Sequence, residues 1–278
     1  VALRPVGIGG IQLHLVKKQL CTPMGVTGVI YGTLIAQYSG LVVALIVMIV
    51  RYRPIVAALN RHALVRWDEM RQLVALNSNL IIRSLCFIGV YIGFTALASG
   101  YGDVELAVSS IMMQLFMLFS YFVDGFAYAA EALVGRFIGA NQPRQVRQTT
   151  HCVFAWGAVI AVCFTLLFLF FSLPMVRVFT SDAVVIACSR RYYGWLLVMP
   201  VLSCIAFIWD GILVGATEGK TLRNVMIGAL VSFVVTYYAL FSFVGIQALY
   251  AAYMAHLLFR SVYLTAFWWH NKRLRPNI

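Results

Sequence analysis

The sequence predicts an all-helical polytopic membrane bundle of about seven transmembrane helices, and three observations carry that prediction. Of its 278 residues, 62% are hydrophobic and only 11% are charged, more apolar surface than a soluble domain can bury. Apolar runs of about 20 residues recur, each long enough to cross a bilayer as a helix. The basic residues lie mostly between those runs, and they divide unequally between alternate connections.

Taken in order, residues 1–20 (VALRPVGIGGIQLHLVKKQL) are too short and too mixed to span, and no signal-peptide pattern follows the opening Val. Residues 1–23 are therefore unassigned, and the chain reads as beginning in the middle of something. The first span is roughly 28–50 (GVIYGTLIAQYSGLVVALIVMIV), closed by Arg51, Arg53 and Pro54. Residues 51–76 interleave Arg51, Arg53, Arg61, Arg66, Arg71, Asp68 and Glu69 with Val, Leu, Trp and Met, which suits an interfacial amphipathic segment. The second span is 79–100, and GYGD makes a tight turn into a long third span at about 105–135. The polar connection GANQPRQVRQTTH leads to the fourth, 152–173, which Pro174 is expected to end. The fifth covers about 193–217, the sixth 224–244 and the seventh 247–269, before a basic tail, KRLRPNI.

Charge sets the orientation. Arg51, Arg53, Arg61, Arg66, Arg71, Arg136, Arg144, Arg147, Lys220, Arg223, Lys272, Arg273 and Arg275 fall on one side, thirteen basic residues in all. The opposite connections hold three, Arg177, Arg190 and Arg191. The positive-inside rule then predicts a cytoplasmic C-terminus and an outside start for the first span.

The net charge of +12 does not point to nucleic acid, because the basic residues form neither an amphipathic face nor an aromatic-interleaved patch. The six cysteines (Cys21, Cys86, Cys152, Cys163, Cys188, Cys204) contain no CxxC pair and read as small apolar fillers. The five histidines show no metal-ligand spacing. Neither GxSxG, nor GxxxxGK[ST], nor a plausible Ser-His-Asp grouping on one membrane side occurs, so nothing argues for an enzyme.

The informative residues are charges inside the spans. In FVDGFAYAAEALVG, Asp124 and Glu131 are seven residues apart, so they share a helix face with Tyr128 between them. An ionised carboxylate facing lipid costs several kcal/mol, so this face is expected to look toward protein or a water-filled cavity. These acids either bind a proton or cation, or serve structure: Asp124 by accepting hydrogen bonds, Glu131 by reaching the headgroups. Asp210, in CIAFIWDGILVGATEG, is a third coupling candidate, with an ion pair to an intramembrane arginine as the alternative. Both Asp124 and Asp210 precede a glycine, a pattern suited to a kink or a close helix approach. Arg260 is expected as the deeper ion-pair partner, one turn after His256, whereas Arg83 either pairs or snorkels to the surface. Met113, Met117 and Tyr128 are candidates for a cavity wall that takes bulky lipophilic cations, against plain core or lipid packing.

Three stretches, GVTGVIYGTLIAQYSGL, DGFAYAAEALVGRFIGANQ and DGILVGATEGKTLRN, closely resemble the multidrug and toxic compound extrusion (MATE) transporters, nearest to the DinF branch. LVALNSNLIIRSL resembles the linker entering the first helix of the second lobe. The likeness covers about residues 24–270. It implies two six-helix lobes around a central cavity with alternating access. Residues 24–50 would be the last N-lobe helix, 51–78 the cytoplasmic linker, 79–270 the C-lobe and 271–278 a cytoplasmic tail. The first five helices would be missing, so an N-lobe or a second chain would be needed for a complete transporter. The implied activity is cation- or proton-coupled antiport of organic, often cationic, compounds across the inner membrane, without a cofactor beyond the proton or sodium ion. The branch's principal coupling aspartate belongs to a helix outside this chain. Asp210 matches half of the cation site of other branches, and Asp124 and Glu131 match the motif in the second C-lobe helix. A seven-span receptor and a lipid-linked oligosaccharide flippase of the same superfamily are the competing readings. The absence of DRY-like and NPxxY motifs argues against the first, and the intramembrane acids against the second.

Overall fold

A computed structural model describes residues 25–51 and 67–271. The expectations for residues 1–23, for the basic segment 52–66 and for the tail 272–278 lie outside the described residues. Within these limits the chain is helical throughout, as seven helices: α1 (Gly25–Arg51), α2 (Trp67–Ser99), α3 (Asp103–Gly139), α4 (Pro143–Phe179), α5 (Ala183–Gly215), α6 (Gly219–Val244) and α7 (Gln247–His270). Six are long and apolar enough to cross a membrane. The exception is α7, where His256, Arg260 and several tyrosines dilute the apolar run.

Contacts divide the chain into two units, Val1–Gln72 and Leu73–Ile278. The first contains α1, whose apolar run spans Ile30–Val50. A serine inside it, Ser39, returns its hydroxyl to the Ala36 carbonyl at 3.0 Å, satisfying a polar group that lipid cannot solvate.

In the second unit the helices outrun the apolar windows that mark them. At about 1.5 Å per residue, the 37 residues of α3 and of α4 reach well past the bilayer core. Three differences from the sequence reading follow. Helix α2 starts at Trp67, inside the segment expected to be a linker. Helix α5 starts at Ala183 instead of about 193, capped by the Asp182 carboxylate, which accepts from Val184 N–H at 2.8 Å. Helix α4 passes through Pro174 and runs on to Phe179, bending at Phe171 (φ −113°, ψ 24°). The missing N–H and the ring's clash with the preceding turn cost one kink, not the helix.

Short connections make α3 and α4, α4 and α5, and α6 and α7 packed antiparallel neighbours. Asn141 (φ 54°) and Thr217 (φ 58°) adopt the left-handed conformation that closes α3 and α5. There Gln142 N–H returns to Phe137 C=O and Glu218 N–H to Leu213 C=O, both at 2.9 Å. The packing centre is α3 against α5. A Cβ at Gly211 would run into the Ala127 carbonyl, and one at Gly215 into the Glu131 carbonyl, so these two backbones touch. Helix α4 packs on both, α7 packs on α5 and α6, and α2 docks by side chains, its Phe94 ring lying 5.7 Å from Tyr250 and 5.6 Å from Tyr253.

Candidate functional site

The rotation of α5 aims its acid. Gly211 faces Ala127 of α3, and a helix turns about 100° per residue, so the preceding Asp210 points into the neighbouring sector. There it meets α2 and α7. Arg83 Nη2 donates to Asp210 Oδ2 at 2.5 Å, and Arg260 Nη2 donates to the same oxygen at 2.6 Å. One carboxylate thus joins three helices through two guanidiniums.

The two arginines differ in their surroundings. Arg260 is 1% exposed, its guanidinium 5.3 Å from the centre of the Phe207 ring, a cation–π contact within useful range. Its Nε and Nη1 have no hydrogen-bond partner among the described residues, and neither has Arg83 Nε. The Arg83 side chain keeps 28% of its exposure. The sequence reading left Arg83 between snorkelling and pairing; the structure pairs it. Arg260, the expected partner, is paired as well.

Asp124 on α3 is half-buried and hydrogen-bonds to neither arginine; its Oδ2 accepts from Ser120 Oγ at 3.4 Å. It lies within electrostatic reach of Arg83, Asp210 and Arg260. The four formal charges, two acids against two arginines, sum to zero only when Asp124 is ionised. Gly125 beside it faces open space, so the two Asp-Gly pairs differ: the one in α5 marks a close helix approach, the one in α3 does not. Glu131 is half-buried and its backbone abuts Gly215, while its side chain has no ion pair or hydrogen bond among the described residues. Tyr128 is 69% exposed, Met117 half-buried. Met113, for which core packing was the alternative, is 3% exposed and lies in the packed core with Met112 and Phe116.

Two features escaped the sequence reading. Arg223, counted only as a loop charge, donates through Nη1 to Asn79 Oδ1 at 2.9 Å and so ties α6 to α2. Trp209, next to Asp210, donates from Nε1 to Thr265 Oγ1 at 2.9 Å and packs 4.9 Å from Trp268, holding α5 to α7. The WD pair and the hydroxyl one turn beyond Ser261 were visible, but nothing local linked them.

Residues 80–238, more than half of the chain, match the MatE family. DNA damage-inducible protein F of Escherichia coli K12 is 30% identical over 254 residues, which is 89% of this chain and 54% of that protein. Human multidrug and toxin extrusion protein 1 is 27% identical over 150 residues, 54% of this chain and 25% of that protein. A MATE crystal structure in a bent conformation superposes with a TM-score of 0.65 at 17% identity, covering 73% of this chain and 46% of the other. The chain thus spans about half the length of its E. coli relative.

Proposed function

The chain belongs to the MatE family, and from that premise we propose that it works in a secondary active efflux transporter of the inner membrane, one that exchanges organic, often cationic, compounds for protons or sodium ions. Residues 79–270 form its C-lobe, α1 the last helix of the N-lobe, and 51–78 the linker between them. Thirteen basic residues against three favour a cytoplasmic linker and C-terminus. A complete transport path then takes an N-lobe or a second chain in addition, consistent with the half-length match to the E. coli relative.

One observation carries the choice of site: Asp124 is a half-buried intramembrane acid left without an arginine hydrogen bond, beside an acid that has two. Asp210, saturated by Arg83 and Arg260, serves as a clamp. Asp124 is the carboxylate open to a proton or a cationic compound, with Tyr128, Met117 and Glu131 on the same helix as candidate cavity residues. The extrusion named in the human relative agrees with this reading.

The test is transport by proteoliposomes holding the chain, with and without an added N-lobe, under an imposed proton or sodium gradient. Tetraphenylphosphonium movement that follows either gradient and disappears in Asp124→Asn supports the proposal. Gradient-driven movement that survives this substitution removes Asp124 from the coupling site.

A further inference from the structure

Helix α4 carries a column of side chains that the described residues leave uncovered. At about 100° per residue, Arg144, Arg147 and His151 share one side of the helix, and Ala155, Val162 and Leu166 continue the same line. All six are exposed, while Val146, Val153 and Phe164 on the opposite side are buried in the bundle. Arg147 Nε donates to His151 Nε2 at 3.5 Å, so two basic side chains meet each other instead of an acid. No Asp or Glu occurs between Glu131 and Asp182, and neither Arg144 nor Arg147 joins an ion pair among the described residues. Local electrostatics works against this arrangement. Like charges three or four residues apart repel, and cations at a helix N-terminus face the positive end of its dipole. The first turn of α4 holds no acid to offset either effect. Arg223, by contrast, is engaged by Asn79 and Asn224.

We propose that this column binds one anionic phospholipid: Arg144 and Arg147 hold its phosphate, and an acyl chain lies along Ala155, Val162 and Leu166. Arg136, exposed in the last turn of α3, adds a further cation across the short turn that joins the two helices. The lipid is selected over a free phosphate because the basic and apolar parts form one continuous line. From Arg144 to His151 is about 10 Å of helix axis, enough to cross the polar layer on one side of a bilayer, roughly 5–8 Å. The charges therefore meet headgroups where the residues after them meet acyl chains. The last turn of α4 offers a single cation, Arg177, so the site belongs to the leaflet that the charge count assigns to the cytoplasm. The bound anion relieves the repulsion among these side chains and steadies the first turns of α4. The assignment is independent of the reading of Asp124.

Native mass spectrometry of the full chain in detergent tests this, with phosphatidylglycerol and phosphatidylcholine titrated separately into wild type, R144Q/R147Q and R177Q. The wild type should take up one phosphatidylglycerol saturably, about tenfold more tightly than phosphatidylcholine or better. R144Q/R147Q should weaken that binding about thirtyfold, at about fivefold for each arginine near a membrane surface. R177Q, at the far end of the same helix, should bind as the wild type does. Phosphatidylglycerol should also raise the circular-dichroism Tm of the wild type and leave that of R144Q/R147Q unchanged. Equal binding of the two lipids, or an equal loss in R177Q, would reduce the column to diffuse attraction and overturn the site. Displacement of the lipid by glycerol phosphate at equal concentration would overturn the lipid in favour of a free phosphate. A R144Q/R147Q protein without a cooperative melt in the absence of lipid would also refute the proposal, because these exposed arginines would then be holding the fold itself.

Discussion

Replacing Asp210 by asparagine removes one negative charge and leaves two guanidiniums facing each other inside the bundle. With charge centres about 4 Å apart and an effective dielectric of about 20, each lost attraction is worth about 4 kcal/mol before solvation. Solvation then separates the two arginines. Arg83 lies at the surface of the bundle, 28% exposed, whereas Arg260, at 1%, is enclosed by protein and cannot be re-solvated. The net cost is therefore set by Arg260, about 3–5 kcal/mol, as for stranding one partner of a buried pair. For a unit the size of residues 73–278, that lowers Tm by roughly 6–20 °C. Circular dichroism of the purified chain in detergent measures the shift. The same reasoning makes R83Q much milder, because a neutral Asp210–Arg260 pair survives it. An Asp210→Asn protein that melts within about 2 °C of wild type, or an R83Q protein that loses as much, refutes this account of the clamp.

Further substitutions probe the packing around it. Gly211→Val drives a side chain into the Ala127 backbone, with atoms at 2.7 and 2.9 Å that no rotamer can move; a loss of about 3 kcal/mol or more is expected in the same melt. Gly125→Val, which meets nothing within 4 Å, should change it by no more than about 0.5 kcal/mol. Gly245→Ala also meets nothing, but at φ 58° the backbone strain alone should cost about 1–3 kcal/mol. Ser109→Ala removes the 3.0 Å partner of the buried Tyr250 hydroxyl and should cost about 1–3 kcal/mol, while Ser109→Ala in a Tyr250→Phe background should add little.

The residues themselves show which parts of this structure a sequence can reveal. Runs such as Ile30–Val50 and Gly219–Val244 announce membrane helices because burial in lipid depends on local composition alone. Helix ends were less legible: Ser189, Arg190 and Arg191 interrupt the apolar run near the start of α5, and Pro174 reads as a stop within α4, yet an Asp182 cap and a single kink keep both stretches helical. The acids Asp124, Glu131 and Asp210 stood out as costly exceptions, and Arg260 as a partner. The choice between core and cavity for Met113, and the Arg223–Asn79 bond, were not legible, since burial and pairing at those positions depend on a neighbouring helix.

Sequence alone therefore determined a helical membrane bundle, its approximate spans and its intramembrane charges, because hydropathy and the expense of charge in lipid are properties of each segment. Only the tertiary structure decided which acid is clamped and which is left open. Arg83 and Asp210 are separated by 127 positions in the chain. Their meeting depends on how α5 is rotated, and that rotation is fixed where Gly211 lets its backbone rest on Ala127.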